Sequence, residues 1–63
     1  MNAVNYKGFS VIPMRVEDFI KAMGDKETFE ILKVDHLTFV YRTKTGEMYA
    51  LGEDAETVEN RND

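Results

Sequence analysis

The residue types that catalysis requires are few in this chain, and they are not grouped. The chain contains one histidine, His36, one serine, Ser10, and no cysteine. His36 is predicted to lie in a tight turn and Ser10 in a strand, so neither has the activating partner that a nucleophile needs. Glu17 and Asp18 are adjacent and should point to different sides of a helix, unlike a general acid and base. We expect a protein that is not an enzyme.

Metal and cofactor sites are not predicted either. A single histidine without cysteine cannot form the nitrogen and sulfur cage of a zinc site. The carboxylates from Glu47 to Glu59 do not alternate as the ligands of a calcium loop do. The four glycines are too far apart to form a phosphate-binding loop. We therefore expect neither a metal ion nor a cofactor.

A weak single-stranded nucleic-acid site is one functional alternative. Lys33, Arg42 and Lys44 are predicted to lie near Phe29 on a sheet, and stacking modules combine such bases with an aromatic ring. Three positive charges give only a weak electrostatic attraction to phosphates. Lys33, Arg42 and Phe29 are the residues that this alternative would use.

The net charge of −4 belongs to the last 11 residues of the chain. Acids and bases balance up to Gly52, whereas residues 53–63 contain five acids and one base, Arg61. This segment has only Ala55 and Val58 as apolar residues, which favours a disordered tail over a short helix. An acidic tail of this kind can speed association with a basic surface. The acidic residues assigned to that role are Glu53, Asp54, Glu56 and Glu59.

The first half of the chain predicts a strand followed by a helix. Residues 9–12 form the strand, which ends at Pro13 and follows a turn at residues 5–8. Residues 15–23 form the helix, because their apolar side chains recur with helical spacing. The apolar stripe consists of Val16, Phe19, Ile20 and Met23.

The second half predicts three antiparallel strands. Residues 29–34 and 37–43 are joined by a tight turn at Asp35 and His36, although residues 26–34 also admit a helix. The turn at residues 43–46 resembles a three-residue hairpin connection closed by a glycine. That connection would place Tyr41 opposite Tyr49.

This pairing would divide the apolar side chains between two faces of the sheet. One face would receive the helix, and it consists of Leu32, Val34, Leu37, Phe39, Tyr41, Tyr49 and Leu51. The other face would remain apolar as well, with Phe29, Ile31, Val40, Met48 and Ala50. One short helix cannot cover both faces, so the N-terminal segment, a second copy or a partner must cover the second. The predicted association face therefore consists of Phe29, Ile31, Val40, Arg42 and Met48.

These patterns predict one α+β domain over residues 1–52, with an acidic tail over residues 53–63. The domain would contain a helix packed on three or four antiparallel strands, in the order strand, helix, strand, strand, strand. We expect a protein-interaction module, of the size and charge of inhibitors and accessory factors from phages or mobile elements, that binds a basic surface of another protein. The alternative is a homodimer or higher homo-oligomer assembled through the exposed sheet face. The absence of cysteine and of a membrane-spanning run is simplest to explain by a cytoplasmic location.

Overall fold

The computed structural model describes residues 3–24 and 27–60, and these residues form one five-stranded sheet with a helix on each face. The α+β fold is confirmed in outline, but the described residues form five strands and two helices instead of three or four strands and one helix. The elements are β1 (Val4–Tyr6), β2 (Phe9–Met14), α1 (Val16–Ala22), β3 (Phe29–Val34), β4 (Leu37–Arg42), β5 (Glu47–Leu51) and α2 (Glu53–Asn60).

The strands lie in the order β1, β2, β5, β4, β3. All neighbours are antiparallel except β2 and β5, which run parallel. Pro13 lies within β2, opposite Ala50, and β1 pairs only with residues 9–11. Because β1 does not extend alongside Pro13, the missing proline amide does not interrupt the hydrogen bonds between β1 and β2.

β1 was not predicted, because its three residues precede an unusual turn. Lys7 and Gly8 both have positive φ, +50° and +91°, as the central residues of a type I′ hairpin turn do. Glycine favours this conformation, but lysine does not. The Gly8 amide also donates to Asn5 Oδ1 at 3.0 Å. The turn therefore lies at Lys7 and Gly8 rather than over the whole of residues 5–8.

The predicted register of β4 and β5 is wrong by one residue. Four residues connect the two strands, and Gly46, with a φ of +74°, donates its amide to the Arg42 carbonyl at 2.8 Å. Tyr49 consequently lies opposite Val40, and Met48 lies opposite Tyr41. A slip of one residue turns every side chain of a strand to the other face. Met48 and Ala50 therefore face α2, whereas Tyr49 and Leu51 face α1.

The face toward α2 contains the larger buried cluster. Phe39, Val11 and Val58 are fully buried there, with Tyr6 packed edge-on against Phe39 at a ring distance of 5.9 Å. The prediction of a disordered tail is wrong for residues 53–60, which form α2, while residues 61–63 lie outside the described residues. Ala55 and Val58 suffice because both are small and both enter this cluster.

Contacts between distant strands show that the sheet curls toward α2. Two strands separate β1 from β4, yet the Tyr6 hydroxyl donates to Asp35 Oδ2 at 3.3 Å from across the sheet. The Lys7 ammonium lies 2.6 Å from the same oxygen, and this contact lowers the pKa of Asp35. Asp35 has a φ of +56° in the β3–β4 turn, a conformation that aspartate tolerates better than most residues do.

α1 covers part of the opposite face through one aromatic contact. Phe19 is buried against Tyr49 at a ring distance of 5.2 Å, and Val40 completes this smaller cluster. Two members of the predicted helix stripe, Val16 and Ile20, remain exposed. A helix of seven residues without a side-chain N-cap is too short to be stable alone, so its packing depends mainly on Phe19. No helix in the described ranges is long and apolar enough to cross a membrane.

Replacing Val58 tests whether α2 belongs to the folded core. Val58→Ala should lower the free energy of unfolding by about 2 kcal/mol, because it leaves a cavity beside Phe39. Urea unfolding followed by circular dichroism measures this difference. The matched control is Glu59→Ala, an exposed position on the same helix, which should change stability by less than about 0.5 kcal/mol. Equal stability of both variants would contradict the packing of α2.

Candidate interaction surfaces

A groove lies where the two helices begin. β2 leads directly into α1, and β5 leads through Gly52 into α2. Because β2 and β5 are parallel neighbours, their carboxyl ends lie side by side, and the Gly52 amide donates to the Met14 carbonyl at 3.2 Å. The helices leave toward opposite faces of the sheet. A crevice at such a point, where connections leave parallel strands in opposite directions, is a frequent location for ligand binding.

The groove is lined by both apolar and acidic residues, and its volume is about 260 Å³. The apolar residues are Pro13, Met14 and Ala55. Three residues contribute carboxylates, one from α1 and two from α2. The complete lining consists of Pro13, Met14, Arg15, Asp18, Gly52, Ala55, Glu56 and Glu59.

One base, Arg15, lines this groove, and its guanidinium is only loosely paired. It lies 3.5 Å from Glu17 Oε2 and 3.8 Å from Asp18 Oδ2, with most of its side chain in solvent. α2 itself contains no basic residue. Three carboxylates therefore face one guanidinium, which Glu17 also shares, and the groove is negatively charged.

The four acidic residues predicted to contact a partner lie in different environments on α2. Glu56 and Glu59 line the groove, and Glu53 is exposed in the first turn of α2. Asp54 points inward, where its Oδ2 accepts the Thr38 amide at 3.1 Å. Asp54 thus connects α2 to β4, and the sequence contains no signal that distinguishes it from its neighbours.

The predicted association face is divided by the corrected register. Phe29 and Ile31 are exposed on β3, by 45% and 52%. Val40 lies on the same face but is buried with Phe19, and Met48 is on the opposite face of the sheet. Phe29 and Ile31 are thus the exposed apolar part of that face.

Arg42, the remaining residue of that set, is engaged in a buried ion pair. Its side chain is 11% exposed and that of Glu27 is 6% exposed, with Nη2 at 2.5 Å from Glu27 Oε2. Nε donates to the same carboxylate at 3.0 Å, and Nη1 donates to the Tyr49 hydroxyl at 3.1 Å. That hydroxyl donates to Glu47 Oε1 at 2.7 Å. Arg42 therefore holds the segment before β3 against β4 and β5.

This network also explains the shifted pKa values around it. The Arg42 guanidinium, followed by the Gly24 amide, lowers the pKa of Glu27. The Glu27 carboxylate in turn raises the pKa of Arg42, and burial raises the pKa of Tyr49. Glu27 precedes the predicted strand and was not identified as a site residue, because no sequence pattern links it to Arg42.

The remaining candidates for chemistry lie apart from one another. His36 is exposed in the β3–β4 turn, and Ser10 is exposed on β2. Among the residues that the structure describes, no group of three or more histidine or carboxylate side chains is placed to hold a metal ion. Comparison with protein families, curated proteins and solved structures finds no match to this chain.

Acid titration tests the Glu27–Arg42 pair. The pKa of Glu27 is lower in the folded chain than in the unfolded chain, so the ionised carboxylate stabilises the fold above the unfolded value of about 4.3. This contribution is lost as the pH falls through the folded value. Glu27→Gln should therefore lower the urea midpoint at pH 7, and the difference from the native chain should shrink below about pH 4.

The control for this titration is Glu30→Gln, which removes an exposed carboxylate from the neighbouring strand. We expect it to change the urea midpoint at pH 7 much less than Glu27→Gln does. A Glu27→Gln effect that keeps the same size from pH 7 to pH 3 would show that the ion pair does not stabilise the fold.

Proposed function

We propose that this chain is a non-enzymatic protein-interaction module that binds a basic segment of another protein in the groove between α1 and α2. The observation that supports this proposal is the composition of the groove. Its lining combines the apolar Pro13, Met14 and Ala55 with an excess of negative charge from Asp18, Glu56 and Glu59. In this proposal the acidic residues that contact the partner lie on a folded surface that includes α2, and not on a disordered tail as the sequence predicts.

The lining matches the two parts of a lysine or arginine side chain. Such side chains bury their aliphatic stems on apolar surface while keeping the charged end in a polar environment. Met14 and Ala55 would contact the stem, and the three carboxylates would lie around the charged end. Methionine adapts its shape to different contacts, so Met14 could contact the stem of either a lysine or an arginine side chain.

The charge distribution favours fast association with such a partner. Excess negative charge on one surface attracts a basic partner over a distance of about one Debye length, ~8 Å at physiological salt. A module that covers a basic surface in this way would act as an inhibitor or accessory factor of the partner. A phage or mobile-element origin remains part of this proposal, on size and charge alone.

The nucleic-acid alternative has less support from the geometry. Arg42 is neutralised by Glu27 and is mostly buried, so it offers little charge to a phosphate. Lys33 donates to the Thr38 hydroxyl at 2.8 Å, and it shares its face of β3 with Phe29.

Self-association has a specific observation in its favour, the exposed apolar side chains of β3.

A basic synthetic peptide tests the groove directly. The probe is a 12-residue peptide in which lysine and leucine alternate, titrated into isotopically labelled protein and followed by amide chemical shifts. Shift changes should concentrate at residues 13–18 and 52–59, and the affinity should fall steeply with added salt. Glu56→Gln combined with Glu59→Gln should weaken binding at least about tenfold.

The control removes two carboxylates outside the groove. Glu30→Gln combined with Glu53→Gln gives the same net charge, and neither residue lines the groove. This variant should weaken binding less than about threefold, as expected for a general charge effect. Equal weakening by both double variants, or shift changes spread over the whole surface, would refute the groove as the binding site.

A further inference from the structure

The two edge strands of the sheet differ in length and in exposed side chains. β1 has three residues, whereas β3 has six, and no strand of the described part of the chain lies beyond either one. Natural proteins protect sheet edges with short strands, charges or bulges, because an open edge pairs with other strands. β3 is long and exposes Phe29 and Ile31. It is the edge that is open to a further strand.

We propose that β3 pairs with β3 of a second copy of this chain, antiparallel, with Ile31 opposite Ile31 of the second copy. The two sheets would then form one continuous ten-stranded sheet. This proposal is independent of the acidic groove, which lies at the carboxyl ends of β2 and β5.

Charge and exposure select this register among those that two-fold symmetry permits. A two-fold axis perpendicular to the sheet places the α1 faces of both copies on the same side. In such a dimer one residue of β3 lies at the axis, directly opposite the same residue of the second copy. An axis at Glu30 would oppose two carboxylates, and an axis at Lys33 would oppose two ammonium groups, both of which are unfavourable. An axis at Leu32 would place Phe29 beyond the end of the paired strand. The axis at Ile31 opposes no like charges and covers both exposed apolar side chains.

In this register Phe29 lies opposite Lys33 of the second copy. Both residues are on the face of β3 toward α1, and directly opposed side chains in antiparallel strands are in contact. The lysine stem would pack on the ring, and its ammonium would lie near the ring face, an attractive cation–π arrangement. On the other face, Glu30 lies opposite Leu32 of the second copy, a pair without charge repulsion.

The interface is small, since it consists of one strand from each copy and the side chains beside it. Interfaces of this size are typically weak, so we expect a dissociation constant on the order of micromolar. Sedimentation velocity over a range of concentrations should show a monomer and a dimer in equilibrium.

A charged residue at the symmetry axis should abolish the dimer. Ile31→Lys places two ammonium groups opposite each other, while its exposed position spares the fold, which circular dichroism checks. The dimer should weaken at least about tenfold. The matched control is Ile20→Lys, at an isoleucine of α1 that is also exposed, by 65% against 52% for Ile31, which should leave the dimer unchanged. Ile31→Lys should bind the basic peptide within about threefold of the native chain, as expected for a general charge effect, so the two proposals fail separately.

Cysteine cross-linking tests the register, because the native chain contains no cysteine. Opposed Cα atoms of antiparallel strands are about 4.5–5.5 Å apart, within the range of a disulfide. Ile31→Cys should therefore form a disulfide dimer in glutathione buffer at least about tenfold faster than Lys33→Cys, whose two Cα atoms would be about 14 Å apart. A chain that stays monomeric up to about 100 μM, or equal cross-linking at both positions, would overturn the proposal.

Discussion

The parallel pairing of β2 with β5 is the contact on which the other elements depend. β2 comes from the N-terminal third of the chain and β5 from the C-terminal third, so this pairing joins the β1–β2 hairpin to the antiparallel meander β3–β4–β5. It also aligns the ends of the two strands, from which α1 and α2 leave to opposite faces. The amide of Gly52 donates to the Met14 carbonyl at that point. Loss of this pairing would remove the site of the groove and separate the buried side chains of the β1–β2 hairpin from those of the meander.

The second constraint is that a chain of 63 residues must cover both faces of its sheet. A domain of this size buries about 60% of the surface that its unfolded chain exposes, so small contacts decide its stability. α2 covers one face with only Ala55 and Val58, because the sheet curls toward it and Phe39 fills the centre. α1 covers the other face mainly through Phe19. Phe29 and Ile31 on β3 remain exposed as a result.

Local patterns in the sequence predicted most of the elements. The helix at residues 15–23 and the β3–β4 hairpin were predicted because each depends on residues close in the chain. The register of β4 and β5 depends on the length of one loop. Because the loop is one residue longer than predicted, Met48 and Tyr49 each lie on the face opposite to the predicted one. The parallel pairing of β2 with β5 is a long-range contact that periodicity does not report. The sequence predicts a tail instead of α2, because local patterns do not show that two small apolar residues, Ala55 and Val58, are buried against the sheet.

For the acidic groove and for the exposed face of β3, the sequence indicates some of the residues but not how they are grouped in space. Phe29 and Ile31 are exposed, whereas Arg42 forms an ion pair with Glu27, a residue that no local pattern connects to it. Glu56 and Glu59 were singled out for their charge, and the structure adds Asp18 from α1 to the same groove. Such groupings depend on tertiary contacts, so they follow from the fold rather than from spacing.

Native-state amide exchange is the most direct test of the central claim that the β2–β5 pairing and α2 belong to one cooperative core. If they do, the amides of Gly52 and Val58 will exchange at least about 100-fold more slowly than those of an unstructured peptide, and they will lose protection together with Phe39 as urea is added. Exchange of Gly52 and Val58 at the unstructured rate, with Phe39 still protected, would contradict it.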